Sequence, residues 1–269
     1  MKKNIWKIVF AASLVLIVVA SINIFILARQ YQAGINTYQN LEKYVEVIEV
    51  PEIPEVQDAQ PAEEDTESEE VVSTGPKIPI RLNLDYDSLT AINDEFVCWL
   101  YYAPLDINYP VVRGTDNDYY LHYTFENERV PAGAIFMEFL NKPDMTNYNT
   151  IIYGHNMRNG TMFGSLDDLL RDNSIISQNP YFYIFTKEKS YMYEIFSVYI
   201  TDASSDTYNL IRTEEEQAEH IEYIKSVSTY YAGREVYPSD KITTLSTCYG
   251  VQGDNRTVVQ GVLVAEEDR

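Results

Sequence analysis

A thiol, an imidazole and a guanidinium each stand at the end of a run that reads as a β-strand. Lys241 to Thr247 is rich in the β-branched residues that strands favour, and Cys248 closes it. Tyr249 to Asn255 supplies turn residues in Gly250, Gly253 and Asp254-Asn255, and the chain returns as a second strand from Arg256 to Val264. Two strands joined by so short a loop pair antiparallel, which brings Arg256 back beside Cys248. His155 ends another apolar run, Asn149 to Gly154, and opens the polar turn Asn156 to Gly160. A nucleophilic thiol needs a proton partner for the sulfur and for a leaving amine, and a cation to hold developing negative charge. Cys248, His155 and Arg256 are therefore the candidate catalytic set.

The remaining residues of these types have plainer readings. Cys98 lies within Phe96-Val97-Cys98-Trp99-Leu100 and is expected to be a small buried hydrophobe. A Cys98–Cys248 disulfide would consume the thiol on which the other features converge. His220, beside Glu219 in a helical segment, is expected on the surface, and His122 among tyrosines is expected to be structural. With two cysteines and no CxxC pair, neither a disulfide scaffold nor a zinc site is expected, and nothing calls for a cofactor.

The elements that must position these groups follow from pattern. Further strand-like runs are Val97–Tyr102, Asp106–Val112, Ala134–Phe139, Thr150–Tyr153, Tyr181–Thr186 and Tyr191–Thr201. Tyr86–Ile92 reads as a short helix and Thr115–Leu121 as a capped helical turn. One long helix is expected after Thr213, where Thr213 and Glu216 form a capping box and Ile221, Ile224 and Val227 mark an apolar face; Gly233 is expected to stop it. Eight strands with few helices predict a mainly β domain, closed or nearly closed into a barrel.

Charge divides the chain into parts. Its net −21 is uneven: residues 1–45 carry +4, 46–78 carry −10 and 79–269 carry −15. An acidic folded part excludes a nucleic-acid-binding surface, which needs a basic face. Lys2, Lys3 and Lys7 precede an apolar run from Ile8 to Leu27, long enough at ~1.5 Å per residue to span a ~30 Å hydrocarbon core. An uncleaved anchor with its N-terminus in the cytoplasm is expected rather than a cleaved signal peptide. Near-helical spacing continues over residues 30–47. Glu46 to Glu70 then holds eleven acids, no Lys or Arg and prolines at 51, 54 and 61, which predicts an extended, self-repelling stalk. The expected division is 1–29 anchor, 30–79 stalk and 80–269 catalytic domain.

Taken together, Tyr153-Gly154-His155-Asn156-Met157, Thr161-Met162-Phe163, Thr244-Leu245-Ser246-Thr247-Cys248 and Arg256 resemble a class B sortase of Gram-positive bacteria. Asn108-Tyr109-Pro110-Val111-Val112 and Asp116-Asn117-Asp118-Tyr119-Tyr120-Leu121 are similar to it too, so the resemblance runs from about Leu84 to Val264. It implies an eight-stranded sortase barrel with an N-terminal helical addition and a long helix before the penultimate strand. It also implies a transpeptidase: Cys248 attacks the carbonyl after the threonine of a surface protein's C-terminal sorting signal, of a type such as NPQTN or SPKTG. The thioester so formed is resolved by an amine of a peptidoglycan cross-bridge or precursor, with His155 moving the protons and Arg256 holding substrate and oxyanion. Asn117, Leu121, Ile211 and Ser246 match groove positions, and the Tyr249 N–H is a further oxyanion donor.

Two other classes stay open. An L,D-transpeptidase also combines cysteine, histidine and arginine, but in a Ser-x-Gly-Cys-Arg turn, whereas Leu-Ser-Thr precedes Cys248 here. A catalytically inactive surface-binding relative is opposed by the complete Cys–His–Arg set and by the lack of a wall-anchoring tail after Val264.

Overall fold

A computed structural model of the chain describes residues 2–50, 76–248 and 253–269, and only the backbone of residues 2–5, 8 and 248. Helix α1 (Lys2–Leu41) leads through a 3₁₀ turn into β1 (Val45–Glu49). Then follow β2 (Ile80–Leu84), α2 (Tyr86–Ile92), β3 (Phe96–Tyr102), β4 (Ile107–Val112), β5 (Ile135–Met137) and β6 (Asn149–Tyr153). The second half contains α3 (Asp167–Arg171), α4 (Ser174–Gln178), β7 (Tyr181–Phe185) and β8 (Lys189–Asp202). Last come α5 (Glu214–Val227), β9 (Tyr230–Tyr231), β10 (Ile242–Cys248) and β11 (Asn255–Asp268). Strands β11-β10-β6-β5-β4-β3-β7-β8 lie side by side in that order, and β8 pairs back to β11, which closes an eight-stranded barrel. Each of the eight strand-like runs in the sequence corresponds to one barrel strand.

Alternation splits the barrel wall into an inner and an outer face. Leu245 and Val259, opposite each other on β10 and β11, point into the main core with Leu100 and Phe182. Ile242, Val258 and Val262 point outward instead and are covered by Ile221 and Ile224 of α5. Both faces of β10 are thus buried, so it reads as a near-continuous apolar and β-branched run rather than an alternating one.

Helix α5 starts as its sequence indicates: the Thr213 side chain accepts the Glu216 N–H, and Glu214–Glu216 sit at the positive end of the helix. The Glu216 carboxylate returns to the N–H of Arg212, one residue before the cap. The helix ends at Val227, short of the expected stop at Gly233. Ser228 is extended and its hydroxyl donates to the Ile224 carbonyl, after which Tyr230–Tyr231 pair with β8.

The N-terminal region departs from the sequence reading. The apolar run and the near-helical stretch after it are one helix of 40 residues, long and apolar enough to cross a membrane. Its last turns pack on the barrel: Tyr38 and Leu41 are buried, and the Tyr38 hydroxyl donates to the Gly133 carbonyl at 2.6 Å. Residues 45–49, expected to belong to the helical spacing and the extended stalk, form a strand whose Val45–Glu49 pairs with Ile80–Leu84. The rest of the acidic stretch, 51–70, lies outside the described residues.

His220 is also not where its neighbour Glu219 suggested. It is buried with Gln217, Ile221 and Ile224 on the inner face of α5, its Nε2 3.4 Å from the Asn149 amide. Burial holds its pKa down to about 4. The native imidazole therefore stays neutral while an unfolded one takes a proton as pH falls below about 6.5. Stability should fall as pH drops from 6.5 to 4, by roughly 3 kcal/mol from this residue alone. Denaturant titrations at several pH values should show His220→Gln losing less stability than the parent over that window. Equal losses would mean that His220 protonates alike in both states.

A second expectation concerns Gly154, the residue between β6 and His155. A Cβ there would run into Ile135 Cδ1 and come within 2.8 Å of the Phe163 ring. Overpacking of this kind costs about 1–3 kcal/mol, so Gly154→Ala should lower Tm by roughly 2–10 °C. An unchanged Tm would show that the turn has room to spare.

Candidate active site

Three adjacent strand ends meet at one rim of the barrel. Strand β10 runs parallel to β6, from Ile242 opposite Asn149 to Ser246 opposite Tyr153, and the Gly154 N–H donates to the Ser246 carbonyl at 3.1 Å. On its other side β10 pairs antiparallel with β11 as far as Cys248 opposite Arg256. His155 lies two residues past Tyr153, and Cys248 two past Ser246. The pairing thus brings Cys248, His155 and Arg256 to one end of three neighbouring strands, with Cys248 on the middle one.

The histidine ring is fixed by the backbone. His155 is half-buried and its Nε2 is 2.7 Å from the Leu121 carbonyl oxygen. A carbonyl only accepts, so Nε2 carries the proton and Nδ1 is the atom that can take up or release one. The carbonyl is itself held. Leu121 ends a 3₁₀ turn that starts at Tyr119, and the Asp116 carboxylate caps this turn by accepting the N–H groups of Asp118 and Tyr119, both at 2.8 Å. Those two bonds hold the Asp116 pKa below the usual carboxylate range.

Arg256 is half-buried, and its Nη1 donates to the carbonyls of Gly253 at 3.2 Å and Asn255 at 3.0 Å. It also helps keep the Asp202 carboxyl low, behind the larger effect of the Ser204 hydroxyl and N–H. Cys98, in contrast, is a free thiol buried in the core, and burial pushes its pKa up, which makes it a poor nucleophile.

The expected groove residues are distributed unevenly. The Ser246 hydroxyl is 2.8 Å from that of Tyr208, whose ring lies against Tyr153 at 6.2 Å. Ile211 follows three residues later in the same loop, buried at the edge of a cavity of ≈ 520 Å³ that also touches Leu210 and Tyr223. Asn117 is engaged inside the fold: its amide donates to Glu138 at 2.5 Å and its carbonyl accepts the Phe139 N–H. Leu121 enters through its backbone oxygen, as above. Tyr249 lies outside the described residues.

Three residues near the site had no part in the sequence reading. Glu138 joins Asn117 to the Tyr153 hydroxyl, which it accepts at 3.0 Å. A lone acid in the apolar run Ala134–Phe139 was a legible sign that it has a partner. Tyr208 carried no such signal in a chain with 23 tyrosines. Asp167, buried below the rim at the start of α3, has nothing in its neighbouring sequence that marks it.

Comparison with known proteins agrees with this arrangement. The Sortase domain family model matches residues 103–264. Sortase B of Listeria monocytogenes is 37% identical over 66% of this chain and 73% of its own length. Sortase B of Staphylococcus aureus is 34% identical over 61% and 67%. Among solved structures, Bacillus anthracis sortase B in complex with AAEK1 superimposes with a TM-score of 0.67 at 30% identity, covering 88% of this chain and 98% of that one. A Staphylococcus aureus sortase B–substrate complex gives 0.62 at 31% identity, over 66% and 84%. This chain belongs to the sortase family, and within it to the class B sortases, cysteine transpeptidases that anchor surface proteins.

Proposed function

We propose that this transpeptidase cleaves the C-terminal sorting signal of surface proteins after its threonine and passes them to a peptidoglycan amine, with Cys248 as nucleophile. The thiolate attacks the threonine carbonyl, the C–N bond breaks, and the departing amine takes a proton from the His155 imidazolium. The incoming amine gives a proton to the imidazole, attacks the thioester and releases the thiolate. Arg256 donates to the oxyanion and the substrate backbone.

The observation that carries this reading is the strand pairing that sets Cys248 opposite Arg256 while His155 ends the adjoining strand. The Leu121 carbonyl supports it by leaving Nδ1 as the working nitrogen. In the groove, Ser246, Ile211, Leu121 and Asn117 contact or shape the bound signal, and the Tyr249 N–H joins the oxyanion donors. Asn117 does so through Glu138 and Tyr153, given how its amide is engaged. The apolar part of α1 is the membrane anchor, with the N-terminus in the cytoplasm and the barrel outside the cell. The acidic segment begins and ends at the paired strands β1 and β2, so it does not lie between the anchor and the barrel.

Turnover of an internally quenched sorting peptide by the full chain in detergent tests the assignment. Cys248→Ala should abolish cleavage, and Cys98→Ala should leave it largely intact. Arg256→Lys keeps the charge but loses the planar fork, and should cost roughly a hundred- to a thousandfold in rate if directed bonds to the oxyanion are what matter. Near-normal turnover with lysine would restrict Arg256 to a purely electrostatic part.

A further inference from the structure

Directly below the rim lies a carboxylate that the reaction above does not use. Asp167, at the start of α3, is 6% exposed. One of its oxygens accepts the Thr257 hydroxyl at 2.5 Å, and the other accepts the Asn156 side-chain amide at 3.0 Å. Both donors are neutral. Burying a carboxyl group against neutral partners is costly, and an apolar side chain of similar volume would fill the same space with less penalty. The carboxylate is thus poorly explained as a packing element alone.

Its two partners explain it better. Asn156 directly follows His155, and Thr257 directly follows Arg256. Thr257 is also opposite Thr247, the residue before Cys248. A single rigid group therefore holds the histidine turn to the arginine strand, with the cysteine strand between them. Two hydrogen bonds to the two oxygens of one side chain fix a separation rather than a single point. The far side of the turn is held separately, by the bridge of Asn156 to Met162 and by the Phe163 N–H on the His155 carbonyl at 3.0 Å.

We propose that Asp167 is a positioning residue that sets the distance between His155 and Arg256 across Cys248. The inference rests on the roles assigned to those three residues. It does not require Asp167 to touch the substrate.

The test reads the thiol directly, with iodoacetamide as probe: the pH dependence of Cys248 alkylation in the full chain, followed by peptide mapping. Asp167→Ala should slow alkylation near pH 7 by about tenfold and shift the midpoint of the profile, as a small misplacement of reacting groups does. Asp167→Asn should recover most of the rate, because its oxygen can accept from Asn156 while its amide donates to the Thr257 hydroxyl. Thr257→Val removes one strut and should shift the profile in the same direction. Combined with Asp167→Ala it should add nothing further. If Asp167→Ala does not fold, Asn156→Ala and Thr257→Val carry the same comparison. An unshifted profile in folded Asp167→Ala, or additive effects in the double variant, would overturn the inference. His155→Ala and Arg256→Ala serve as references. If they leave the profile unchanged, the site assignment itself is wrong; if they shift it and Asp167→Ala does not, only the role of Asp167 is.

Discussion

A row of buried polar side chains crosses the three strands that carry the site. On the outer face of the barrel, the Thr244 hydroxyl donates to the Asn149 side-chain oxygen Oδ1 at 2.7 Å, and the Gln260 side-chain amide donates to the Thr244 hydroxyl at 3.1 Å. These residues belong to β6, β10 and β11, and all three are buried. A slip of one residue would send each of them to the apolar interior and turn the face that carries Ser246 and Cys248 inward. Unpaired polar groups in that core would each cost about 1–3 kcal/mol, so the row penalises every register but one. The His220 ring against Asn149 extends the row to α5.

The outer face then becomes a groove. Helix α5 covers its lower part through Ile221 and Ile224, while the loop before α5 brings Tyr208 over Ser246 and Tyr153. Nearer the rim the strands run out into turns, and these are held by groups from elsewhere in the chain. The Leu121 carbonyl holds His155, Asp167 bonds the histidine turn and strand β11, and Gly154 lets the His155 turn lie close against Phe163. Rigid strands and backbone-directed contacts thus place groups whose chemistry depends on small distances.

Much of this was legible in the sequence because it is local. The β-branched run before Cys248 and the strand that returns at Arg256 need no distant information. Neither does the capping box at Thr213, nor the apolar run around Cys98. Other features depended on long-range pairing. Val45–Glu49 alternates like a strand, but its partner lies beyond the acidic stretch whose composition dominated the reading. Asp167 has partners 11 and 90 residues away, so nothing local in the sequence points to it. The burial of His220 was accessible in principle: Gln217, His220, Ile221 and Ile224 share one helical stripe, and the adjacent Glu219 was given too much weight.

The most direct measurement of the central claim is the intact mass of the full chain after brief mixing with a sorting peptide, without an amine acceptor. If Cys248 is the nucleophile at a rim shared with His155 and Arg256, the protein should gain the mass of the peptide through its threonine, less one water. Proteolytic mapping should put that mass on Cys248, and an added amine should release it. Cleavage of the peptide with no adduct on Cys248, or with the adduct on Cys98, would contradict the account.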